Sequence, residues 1–375
     1  MLVLIGGDSR ERNMSEENKR KLNEQLIRCV FDDKLSTDKK LRKMDYIIKL
    51  GADVNVRHEF GYSVLGLAKL IQNEDVIKFF EERGAEDIGF NKKKAEEFFK
   101  SASVEEINRA LKVLPDGFVL DCDVNLSKRD LTELPNFSKV IVKGDFDCSI
   151  NQLTTLNGAP REVGGTFYCT DNKLITLVGA PSKVDGCFYC ENNKLESLVG
   201  APKEVGLKFY CSYNELKTLK GAPRVVGKTF NCVHNKLKTL EGAPREVKGS
   251  FECEENQLIS LEGAPSIVGG NFDCGYNQLI TLRGAPSKVE GRFYCSNNQL
   301  KSLRGVPREV TGGFYCYGNQ LTTLRGAPSI VGGDFNCLNN PLENYNEKPD
   351  KIGGTFIAPK IEQVNIINSG IDWWR

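Results

Sequence analysis

Glu252, Glu254, Glu255 and Asp273 crowd the middle of this 375-residue chain. If they stand on neighbouring strands their carboxyl groups lie roughly 5–7 Å apart, a separation at which paired acids act on a glycosidic bond. That chemistry needs one acid held protonated by burial. An open sheet face desolvates little, so ordinary carboxylates are expected here. His58 and His234, the two histidines, lie in different modules and cannot join in a triad or a metal set. Neither a phosphate-cradling loop nor a nucleophile elbow occurs. Thirteen cysteines are present, and ten of them fall at one interval, each two residues after a Phe. Aligned that way they point together into a core as small hydrophobes rather than towards one another as disulfides require. Cys187 and Cys190 form a CxxC, but odd spacing along a strand sends them to opposite faces. No catalytic group, cofactor or metal is therefore expected.

The elements that must hold these residues repeat. Phe146, Phe167, Phe188, Phe209, Phe230, Phe251, Phe272, Phe293, Phe314, Phe335 and Phe356 recur every 21 residues without insertion. Cys148 to Cys337 and Asn151 to Asn340 keep the same beat. A strict short period makes each unit one coil of a stack. Each unit reads Phe-x-Cys-x-x-Asn-x-Leu-x-x-Leu-x-Gly-Ala-Pro-x-x-Val-x-Gly-x. Phe, Cys, both Leu and Val are expected to fill the core, each large side chain contributing ~1.5–3 kcal/mol before entropy. Both ends of the Asn amide can satisfy backbone groups where the chain leaves the strand. Gly-Ala-Pro turns the corner. Parallel strands at ~4.8 Å give a stack of about 50 Å.

Lysine and arginine number 51 against 50 acidic residues, so the basic excess of a nucleic-acid binder is missing. Leu2-Val3-Leu4-Ile5 is too short for a signal-peptide core, and no run of ~18 apolar residues could span a membrane. A cytoplasmic protein is expected. Met14-Ser15-Glu16-Glu17 would also make a natural start, with residues 1–13 contributing little.

Residues 14–117 read as helical. Ser15 can cap a helix to about Phe31, a second runs from Thr37 to about Leu50, and a third ends at Arg83-Gly84. Ser103-Val104-Glu105-Glu106 is a capping box for one more. Gly51-Ala52-Asp53-Val54-Asn55 and Gly61-Tyr62-Ser63-Val64-Leu65-Gly66-Leu67-Ala68 resemble the ankyrin repeat, Gly51 to Gly84 matching its period of about 33 residues. Val64 and Gly66 depart from the family's Pro and His. The resemblance implies a small helical interaction module over 14–117.

The core of the 21-residue unit, Cys169-x-x-Asn172-x-Leu174-x-x-Leu177, resembles the leucine-rich repeat, with Phe and Cys at positions usually held by Leu. The family's first Leu is missing, and Val163 and its equivalents lie one residue further back. The resemblance implies an α+β repeat protein: a helical ankyrin-like N-terminal domain followed by a parallel-β leucine-rich-repeat solenoid over 118–357. Within it, 118–145 is a degenerate first coil, and 358–375, with Trp373 and Trp374, forms a C-terminal cap. Chains with near-identical Gly-Ala-Pro repeats are similar to hypothetical proteins of large phages and other large DNA viruses, which implies a host-directed role.

If the repeating residues build the frame, specificity sits in the positions that vary. The residue between Phe and Cys gives Tyr168, Tyr189, Tyr210, Glu252, Asp273, Tyr294 and Tyr315. Two after Cys come Tyr213, His234, Glu255 and Tyr276, and one after Cys come Glu191, Glu254 and Tyr317. On a strand these flank the core residues and face outward, onto the concave side. Two tyrosine patches would surround an acidic centre, suited to a protein partner with a basic patch. The expected function is non-enzymatic protein recognition, with a structural spacer or a binder of a small or nucleotide ligand as alternatives. Sequence leaves the oligomeric state open.

Overall fold

A computed structural model describes residues 14–361. Residues 1–13 and most of the expected cap, including Trp373 and Trp374, lie outside the described residues. The chain groups into two compact units: one runs to Asn125 and also takes in Pro135–Gly144, and the other comprises Leu126–Leu134 and continues from Asp145.

Among the described residues the first unit contains helices α1 (Glu16–Val30), α2 (Thr37–Lys49), α3 (Val64–Leu70), α4 (Glu74–Glu81), α5 (Lys92–Ser101) and α6 (Val104–Lys112). Side-chain caps set several of these starts. Ser15 Oγ accepts from the Asn18 N–H at 3.3 Å. At α6 the full box forms: Ser103 Oγ accepts from Glu106 N, and Glu106 Oε2 accepts from Ser103 N at 2.7 Å. The single helix expected to end at Arg83 is two helices. Gln72 turns left-handed at φ 54°, and Asn73 then caps α4 by accepting from Val76 N at 3.1 Å. The loop before α3 folds back on itself, His58 N donating to Tyr62 O at 2.8 Å. His58 is buried there as a structural group, its Nε2 3.0 Å from Ala110 O and its Nδ1 accepting from Phe60 N. Burial lowers its pKa. The unit also holds a short parallel pair, Phe118–Leu120 beside Val140–Val142.

The second unit is a parallel β-solenoid whose coils carry two ladders. One is built of two-residue strands from Phe146–Asp147 to Phe356–Ile357, Phe standing on Phe in every pairing given, as in Phe230↔Phe251. Their rings stack in the buried interior at centroid separations near 5.4 Å, for example between Phe209 and Phe230. The other ladder was not expected from the sequence: residues such as Glu162–Val163 and Glu204–Val205 form strands that pair Val on Val. The Val row thus closes the back of each coil with its own parallel hydrogen bonds, and its side chains still enter the core.

Asn235 illustrates the third row. Its Nδ2 donates to Cys211 O, Cys232 O and Val233 O at 3.1–3.2 Å, and its Oδ1 accepts from Leu216 N at 2.9 Å. One amide therefore satisfies backbone groups of its own coil and the preceding one. The cysteines are free and buried; Cys253 Sγ, for instance, donates to Asp273 O of the next coil at 3.1 Å. At the corner, Gly221 sits at φ 94°, where a Cβ would lie 2.5 Å from the Leu198 carbonyl of the coil before it. Both the turn and the coil spacing therefore require glycine there. This is a parallel β-solenoid with a 21-residue turn. Among the described residues no helix is long and apolar enough to cross a membrane.

Candidate functional site

The strand of each coil ends one residue after Phe, so the variable rows do not share one conformation. Tyr168, Tyr189, Tyr210, Glu252, Asp273, Tyr294 and Tyr315 are strand residues, half-buried beside their Phe. Tyr213, His234, Glu255 and Tyr276, read as strand positions from the sequence, are instead left-handed, with φ between 52° and 54°. The chain leaves the strand at Cys and turns there. Neighbouring coils hold Asp171, Asn192 and Asn297 at this position, types that tolerate a left-handed backbone. Tyr and Glu do so at higher cost.

Three groups result. Tyr168, Tyr189 and Tyr210 form a ladder with centroids 5.3 Å apart, stacked at the first step and edge-on at the second. Lys208 Nζ lies 5.5 Å over the Tyr210 ring. On the turn row, Tyr213 stacks on His234 at 4.4 Å, and His234 Nδ1 is 2.9 Å from Glu255 Oε2. Tyr213 and Tyr276 are more than half exposed. The third group surrounds a depression of about 150 Å³ whose lining includes Glu254, Glu255, Asp273, Tyr276, Tyr294 and Tyr317. Tyr294 stacks on Tyr315 at 4.7 Å and accepts a hydrogen bond from Arg292 at 3.2 Å. Glu252 is set apart from it, held by Asn231 Nδ2 at 2.6 Å.

The expectation of ordinary carboxylates fails at this face. Burial, and then the charge of Asp273, hold Glu254 well above the usual carboxylate range. Asp273 is also raised by burial, with a hydrogen bond from the Glu254 carboxyl and then the Gly275 N–H at 2.9 Å pulling the other way. Burial raises Glu252, against the hydrogen bond from Asn231. The physical reason is burial: these carboxyls are partly withdrawn from water on a strand face that the sequence suggested would be open.

Glu191, which the sequence places in one row with Glu254 but which was not counted among the contact residues, belongs with it. Burial pushes its carboxyl up to about 7. Oε2 of Glu191 and Oε2 of Glu254 are buried side-chain oxygens without a hydrogen-bond partner. The signal was present in the row one after Cys, which runs Ser149, Thr170, Glu191, Ser212, Val233, Glu254, Gly275, Ser296, Tyr317 and Leu338. Only two members are acidic, at a position otherwise filled by neutral residues.

No protein-family model and no curated protein matches the sequence. Among solved structures, the chain is similar to YopM from Yersinia enterocolitica WA-314, at 18% identity and a TM-score of 0.33. That alignment covers 64% of this chain and 65% of the YopM chain, so the chain spans just under two-thirds of it. It is similar also to YopM from Yersinia pestis, described as a leucine-rich effector protein, at 16% identity and a TM-score of 0.37. There the alignment covers 63% of this chain and 88% of the other. Likenesses this distant carry no argument about function. The chain's own ladders and 21-residue period make the fold a parallel β-solenoid.

Proposed function

We propose that this chain is a recognition protein that binds a protein partner through the outward, concave side of its Phe ladder. The observation that carries the reading is the division of labour within each coil. Core and corner positions hold nearly the same residue type throughout, while the outward rows vary and gather tyrosines around acids. Tyrosine offers large, stiff contact area with a polar tip. Two buried carboxyl oxygens without partners leave hydrogen-bonding capacity that a partner can meet. Further from the structure stands the host-directed reading, in which the partner is a host factor that binding blocks; it rests on the phage and large-virus resemblance of the repeats. The paired helices of the first unit, with a folded-back loop between α2 and α3, support an ankyrin-like module as a second contact surface. The test is capture of partners by wild type and by a Tyr189, Tyr210, Glu252, Glu254 alanine variant; an unchanged set of captured proteins refutes the assignment to this face.

A second reading has one observation behind it. A raised Glu254 beside Asp273 is the arrangement of a general acid with a carboxylate partner. The depression, at about 150 Å³, is smaller than the ~300 Å³ at which ordinary small-molecule sites begin, which favours a side chain as the occupant. Hydrolysis of a chromogenic glycoside panel by wild type, abolished in Glu254→Gln, would support the enzymatic reading; inactivity of wild type on the whole panel would count against it.

A further inference from the structure

We infer that the depression bounded by Glu254, Asp273, Tyr276, Tyr294 and Tyr317 is a socket for one cationic side chain, arginine or lysine, of the bound polypeptide. The inference rests on the recognition reading above and names what that surface selects.

Four observations converge on it. The first is an unmet acceptor. Glu254 Oε2 is shut away from solvent with no hydrogen-bond partner, and a buried acceptor left unmet is unfavourable until a donor arrives. The second is charge. Asp273 stands beside Glu254, and Glu255 lines the same wall, whereas no lysine or arginine is among the lining residues. Of the basic groups around it, His234 faces Glu255, Arg292 donates to the Tyr294 hydroxyl and Lys208 lies over Tyr210. Glu254 and Asp273 thus stand together with no lysine or arginine of this chain lining the depression beside them. The third is the wall material. Phenol rings of three tyrosines attract cations to their faces and pack against the methylene stem. The fourth is size. About 150 Å³ suits a guanidinium or ammonium head with part of its stem, and is too small for most complete ligands.

Entry of the cation also settles the protonation of the pair. In the free protein the Glu254 carboxyl retains its proton beside the Asp273 carboxylate. With a cation between them both ionise, and the Glu254 proton passes to solvent.

The experiment is selection of binders from a displayed random-peptide library on the full chain. Affinities of the selected peptides are then measured for wild type, the double variant Glu254→Gln with Asp273→Asn, and the variant Tyr189→Ala with Tyr210→Ala. Both amides keep the shape of the acids, and the asparagine amide retains an oxygen for the Gly275 N–H, so the fold should hold; circular dichroism checks it. The expected result is an arginine or lysine at one fixed peptide position, and at least a tenfold loss of affinity in the double variant. Replacing that peptide residue by glutamine should weaken binding to wild type equally and leave the double variant unaffected. Binders without a cation consensus, or a consensus whose affinity the double variant preserves, overturn the socket. Binders indifferent to every substitution, those at Tyr189 and Tyr210 included, overturn the recognition reading itself.

Discussion

Glu191→Gln should stabilise the solenoid, and only when the solution is neutral or alkaline. In the folded chain burial pushes the Glu191 carboxyl from its ordinary 4.5 to about 7. As pH rises from about 4.5 to about 7 the unfolded chain gives up this proton while the folded chain keeps it. The unfolded state then binds fewer protons, so stability falls across that window and stays low above it. The displacement corresponds to an upper limit of ~3 kcal/mol; partial exposure of the side chain to water reduces this to roughly 1–2 kcal/mol. Gln has the shape of the protonated acid and carries no charge to desolvate. Urea denaturation of wild type and variant at about pH 5 and about pH 8 supplies the four midpoints needed. Comparing the variant with wild type at each pH cancels the other titrating groups, among them Glu252, Glu254, Asp273 and His58. The two proteins should match within a few tenths of a kcal/mol near pH 5, with the variant ahead by roughly 1–2 kcal/mol near pH 8. A difference that does not change with pH, or a variant weaker at pH 8, refutes the claim that this face buries the Glu191 carboxyl.

Three further outcomes follow from the frame. Asn235→Ala removes donors to three carbonyls and the acceptor for Leu216 N, and at ~1–3 kcal/mol for each unmet buried group it should cost several kcal/mol. Denaturation should then show two steps, because coils interact only with neighbours. Tyr276→Asn places the residue type of Asn297 in the same left-handed turn, so it should raise stability by ~1 kcal/mol while weakening any peptide bound in the depression. Burial raises the thiols of Cys211, Cys232, Cys253 and Cys274 well above their ordinary range. Iodoacetamide should therefore spare these four in the native chain and label them in urea, as mass spectrometry would read; native labelling would contradict their place in the core.

The frame was legible because its residues repeat for one physical reason each. Phe146 and its successors announce the coil, and Asn151 to Asn340 announce the exit from the strand. The Val ladder escaped notice because a strand of two residues has no alternation to detect; Val163 reads as core whether or not its backbone pairs. The split of α3 from α4 was similarly hidden, since the signal was Asn73 as a cap within an otherwise helical pattern. At the site, residue types gave the tyrosine patches and the acids, but conformation did not follow. Nothing in the types of Tyr213 or His234 says that they stand in a left-handed turn. Desolvation was misjudged for a related reason: the burial of Glu191 and Glu254 is set by how coils stack, a property of the array rather than of any one repeat.

The central claim is that the repeating residues build and the interleaved ones recognise. Quantitative affinity capture from one lysate onto three baits tests it most directly: wild type, the Tyr189, Tyr210, Glu252, Glu254 alanine variant, and an edge control in which Arg304 and Arg325, exposed residues directly after the second Leu of their coils, are changed to alanine. The account predicts proteins held equally by wild type and the edge control, and lost at least tenfold by the first variant with its fold intact. The same proteins held equally by all three baits would contradict it.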